Sequence, residues 1–170
     1  MINRKEINRL LERAKVITGA TVGGVAAGYL WGGTGGALTT GTQELVQATF
    51  GQTVEHALSD LANRQLSSRE EIRVGAAAVF AINKIWQRLL DGDLPRNDGF
   101  FGSQSSEETD RSPAEEIFEG SMLKCKSEHQ EKKLKLIANI AANTAFDANV
   151  SQELANQVLL IAERLSYRQL

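Results

Sequence analysis

Between Val16 and Gln43 the chain carries no charged side chain, and nine of those positions are glycine. Glycine costs about 1 kcal/mol relative to alanine inside a helix, so a helix holding many of them depends on close packing. Gly24, Gly28, Gly32 and Gly36 recur at intervals of four. On a helix that spacing lines bare backbone along one stripe and admits a second helix at short range. The cluster Gly32-Gly33-Thr34-Gly35-Gly36 is at the same time a turn signal. An unbroken helix keeps the stripe, whereas a turn splits it into a helical hairpin.

The remainder reads as helix. Asn3 and Glu6 have the spacing of a capping box, and Ile7, Leu10, Leu11, Ala14 and Ile17 follow at helical intervals. Leu45, Val46, Phe50, Val54, Ala57, Leu58 and Leu61 form a second stripe. Ser67, Ser68 and Glu71 open a third helix, with Ile72, Ala76, Val79, Phe80, Ile82, Ile85, Trp86, Leu89 and Leu90 on its apolar face and Gly92 as its stop. No stretch alternates with the two-residue period of a strand, and no internal repeat is visible.

From Asp91 to Asp110 the composition changes to Asp-Gly, Leu-Pro, Asn-Asp-Gly and a Ser/Glu run, which reads as a flexible acidic linker. Ser112-Pro113-Ala114-Glu115 restarts helix, expected to run to about Phe146 with Ile117, Phe118, Leu123, Leu134, Ile137, Ile140 and Ala141 inward. After a turn at Asp147-Ala148-Asn149, Ser151 caps a last helix carrying Leu154, Ala155, Val158, Leu159, Ala162 and Leu165. The expectation is an all-α bundle in four parts. Residues 1–66 form a basic helix and glycine-rich hairpin, 67–92 a central helix, 93–111 the linker and 112–170 a C-terminal helical pair.

Several chemistries lack their residues. No lysine occurs between Lys15 and Lys84, which removes a Walker loop, and Leu38 stands where a dinucleotide fingerprint needs its third glycine. Cys125, Glu128 and His129 are too few for a closed zinc site, and Pro95, Arg96 and Gly102 break a calcium loop starting at Asp91. A surface cysteine and solvated histidines are the expectation there. No nucleophile, base and orienting group share a workable spacing, so the chain reads as a non-enzyme with neither cofactor nor metal. Lys124, Lys126, Lys132, Lys133 and Lys135 alternate with Glu128 and Glu131 in a protein of net charge −2, which describes a solvated helix face and no nucleic-acid site. The single cysteine excludes an intramolecular disulfide. The basic N-terminal region is too long, and the run after it too rich in glycine, alanine and threonine, for a cleaved signal peptide.

Two functional expectations remain. The glycine stretch resembles glycine-zipper segments of bacterial and phage membrane-active proteins. On that reading the chain is an effector that self-associates through Gly24, Gly28, Gly32 and Gly36 and docks on or perturbs an anionic inner membrane. Arg9, Arg13, Lys15, Tyr29 and Trp31 would then lie at the interface. Val16–Trp31 as a helix is only about 24 Å long, short of the ~30 Å hydrocarbon core. The alternative is a soluble adaptor whose protein partner meets the acidic linker with Phe100 and Phe101, or the C-terminal helix. A pair of aromatics in such a linker can equally fold back on the chain's own core. Both readings place the protein in the cytoplasm, the first at its membrane.

Overall fold

The computed structural model describes residues 4–19, 50–102 and 111–169. Gly24, Gly28, Gly32, Gly36, Tyr29 and Trp31 lie outside these residues, as do Asn3, Leu45, Val46 and the Ser/Glu run. The protein is all-α. Its helices are α1 (Arg4–Arg13), α2 (Lys15–Thr18), α3 (Gln52–Ala62), α4 (Ser68–Leu90), α5 (Pro113–Ser127), α6 (Leu134–Thr144) and α7 (Gln152–Arg164). Single 3-10 turns at Glu131–Lys133 and Tyr167–Gln169 complete the described elements.

Helix α4 is the axis. Helices α1, α2, α5 and α6 pack around it, and α7 rests outside on α5 and α6. Crowding of this kind needs a helix with little side chain. Gly75, Ala76, Ala77, Ala78 and Ala81 supply it, all buried. At Gly75 the fit is closest, because an added Cβ would overlap the Leu10 carbonyl of α1 and press on Ala14. Ile7, Leu10, Leu11 and Ala14 are consequently sealed, none more than 1% exposed. The expected core around Leu58, Trp86, Ile117, Ile137 and Leu159 is buried, whereas Phe80 is half-buried and Leu90 lies open.

The capping signals are met with one shift. Ser67 pairs with Glu70 in a reciprocal box, one residue earlier than expected. Glu71 is thereby released from capping and receives Arg9 at 2.8 Å and Arg13 at 2.9 Å. Ser112 and Glu115 form the second box, with Pro113 in the first turn. Gly92 stops α4 at φ +91°.

One expectation is corrected. The helix after Ser112 does not run to Phe146; it ends at Ser127 and resumes at Leu134. Ser127 turns its hydroxyl back onto the Leu123 and Lys124 carbonyls, and Glu128 adopts an extended ψ of 121°. A continuous helix would set Glu128 and Lys133 about 140° apart. The break lets both point inward. The described part of the acidic segment, Asp91 to Gly102, is held against the bundle. Arg96 anchors it, donating from its backbone to the Ala145 carbonyl and from its guanidinium to Thr144, Val150 and Ala148 carbonyls and to Asp98. All five guanidinium donors are used. The helices on either side of the segment then pack together.

Replacing Gly75 by alanine should cost about 3 kcal/mol, since the obstacle is backbone with no rotamer to move. Urea denaturation beside an Ala76→Gly control checks this. A loss under 1 kcal/mol would mean that α1 does not sit against α4 as described.

Candidate interaction surface

Helix α7 is built to face two ways. Ser151 caps it by accepting from the Leu154 N–H at 3.2 Å. Ala155, Leu159 and Ala162 point inward and are at most 4% exposed. Leu154, Val158 and Ile161 are 44%, 37% and 55% exposed. At helical spacing their mean direction lies about 100° from the inner face. The half-buried Leu165 prolongs the outer stripe, giving intervals of four, three and four residues. The apolar residues that the sequence gives this helix, Leu154, Ala155, Val158, Leu159, Ala162 and Leu165, thus divide between two faces. An apolar arc that broad already exceeded what one contact face can cover.

Salt bridges and hydrogen bonds fix α7 in place. Lys124 pairs with Glu163 at 2.6 Å, and Gln152 bonds to Glu116. Beneath the C-terminal turn, Lys133 donates from Nζ to the Glu163 carbonyl at 2.8 Å and pairs with Glu128 at 2.5 Å. Lys133 is 1% exposed, so the expectation of a wholly solvated lysine face fails at this position. A cation at a helix C-terminus is favourable to the dipole, and burial strengthens the effect. Burial works to raise the Glu128 carboxyl, but Lys133 and the Gln130 N–H outweigh it and hold the group below its ordinary range.

Cys125 is buried, correcting the expectation of a surface thiol, and its Sγ faces the Leu134 carbonyl. Burial, with the nearby Glu128 charge, pushes the thiol far up. The His129 side chain is 82% exposed, so the two do not converge. Among the described residues no group of three or more His, Cys, Asp or Glu is arranged to hold a metal.

Three basic residues expected at the interface are paired: Arg9 meets Glu71 and Glu6, Arg13 meets Glu71, and Lys15, in α2, meets Glu12. The apolar face of α1 is the one that packs on α4. No described helix is long and apolar enough to cross a membrane.

Phe100 is 4% exposed, with Arg96 stacked 4.5 Å above its ring. Phe101 is half-buried, 5.0 Å edge-on to Phe50, which stacks at 5.4 Å on Phe146. Of the two readings of this pair, the geometry is that of folding back on the chain's own core. An open cavity of about 610 Å³ beside it is lined by Arg96, Asp98, Gly99, Phe100, Gly102, Pro113, Gln152 and Glu153. That lining contains no histidine, cysteine, serine or lysine, and the Arg96 donors are already engaged. No protein family, curated protein or solved structure matches the chain.

Because the Glu128 carboxyl sits below its unfolded value of about 4.3, its stabilisation is present above that pH and is lost as pH falls through the depressed folded value. Glu128→Gln should cost about 3 kcal/mol at pH 7 by leaving Lys133 buried and unpaired. The gap from the wild type should narrow below about pH 4. Urea curves at the two pH values measure both; an unchanged gap would remove the ion pair from the stability of this corner.

Proposed function

We propose that this chain is a non-enzymatic helical interaction module whose docking face is the outer stripe of α7. The observation that supports it is the second apolar face: three large aliphatic residues in helical register stand exposed on a helix whose inner face is already satisfied. Contiguous exposed apolar surface on an otherwise charged protein is the usual mark of a binding site. A helix that presents anchors at such intervals fits a helical groove or another helix.

The test is a photo-crosslinking residue at Val158, with Asn156 on the far side of α7 as the control, in cells that make the full chain. A discrete protein adduct from position 158, absent from 156, is expected. No adduct at 158, or equal adducts at both, overturns the assignment of this face.

A second reading has its own support in the uncharged run that begins at Val16, itself 69% exposed. In it the chain self-associates through Gly24, Gly28, Gly32 and Gly36 and meets an anionic membrane. Lowering membrane recovery or oligomer size with Gly28→Leu and Gly32→Leu together is its expected signature, because leucine adds apolarity but blocks close approach. A wild-type chain that stays monomeric and unbound beside anionic vesicles rules it out.

A further inference from the structure

We propose that the occupant of the α7 outer face is a second copy of this chain, joined by antiparallel pairing of the two α7 helices. This rests on the reading of α7 as the docking face and names its partner. Leu154, Val158, Ile161 and Leu165 follow the four-three-four rhythm with which two helices interlock side chains along a seam. A two-fold axis midway along α7 sets Val158 opposite Ile161 and Leu154 opposite Leu165. The stripe is then complementary to itself, as an isologous dimer contact requires.

The charges choose the direction. Glu153 and Arg164 are both exposed, and they lie within about 20° of each other on the same flank of the stripe. The Ser151 hydroxyl and the helix N-terminal backbone keep the Glu153 carboxyl below its ordinary range, so it is ionised at neutral pH. Arg164 makes no ion pair among the described residues. In a parallel pair the two-fold axis runs along the helices and puts the two Glu153/Arg164 flanks on opposite sides of the seam, so neither charge meets its opposite. Antiparallel pairing brings Glu153 within about two residues, roughly 3 Å along the axis, of Arg164 in the other copy, twice per dimer. Only the antiparallel orientation gains these opposite-charge pairs, and they fix the direction.

The size of the seam sets the strength. Four anchors exposed to this degree bury roughly 300 Å² per copy at most, less than half of what a standard stable interface buries. The dimer is therefore weak and concentration-dependent.

Sedimentation velocity of the full chain between about 10 µM and about 1 mM reads it directly. The dimer fraction should rise with concentration, and Val158→Glu or Ile161→Glu should each weaken association at least tenfold. Glu153→Arg and Arg164→Glu singly should each weaken it about threefold to tenfold, while the two together should return it to within about twofold of the wild type. Circular dichroism confirms that these surface variants stay folded. A chain monomeric throughout, a dimer indifferent to Val158→Glu and Ile161→Glu, or a double swap that fails to restore association overturns the proposal. If the chain is monomeric while position 158 still gives an adduct of some other mass, the second copy falls and the docking face stands. If neither appears, both fall.

Discussion

Gly75 on α4 and the Leu10 carbonyl on α1 bring two backbones together with no side chain between them, and the rest of the packing follows from how near that contact lets the helices come. Around it, Ala76, Ala77, Ala78 and Ala81 keep α4 slim on its other sides, so α5 and α6 also reach it closely. Each alanine buries little apolar area. Their effect is collective, through the dispersion contacts of helices that touch along their lengths. The same contact commits α1. Its leucines and isoleucine are spent inside the bundle, while Lys5, Asn8, Arg9 and Glu12 stay on the outside.

Ion pairing completes that commitment. Glu71 holds Arg9 and Arg13, Glu119 holds Arg64 and Arg111, and Glu128 holds Lys133. All three carboxylates are buried or nearly so, and a charge in that position is tolerable only when matched. Such pairs add little net stability over an apolar replacement but penalise any arrangement that separates them. They join α1 to α4, α3 to α5, and the α5–α6 turn to itself. Helix α7 differs: its outer flank carries an acid and a base that have no such neighbour within the described body.

Much of the fold was legible because caps and periodicity are local. Ser67, Ser112, Ser151 and Gly92 mark boundaries through bonds to residues at most four away, which is the range a sequence pattern reports. What escaped depended on distant partners. Nothing near Ser127 is a glycine or proline, so the break after α5 was invisible; its cause is a buried lysine reaching the end of a helix thirty residues on. Arg96 reads as one more charge in an acidic loop until the carbonyls of Thr144, Ala148 and Val150 are placed around it. The α7 stripe was half legible. Its residues were recognised as apolar, but which of them faced inward was decided by α5 and α6.

Arg96 has one more consequence. With Phe100 seated under its guanidinium, the Phe100 carbonyl accepts the Ala114 N–H at 2.9 Å, and Arg111 is held by Asp60 and Glu119. The chain on both sides of residues 103–110 is thus stitched together at its base. The entropy of closing a loop grows only with the logarithm of its length, about 0.6 kcal/mol for each doubling. The two anchored ends, fixed by their own contacts, would therefore keep the helices in place through a gain or loss of sequence between them at small cost.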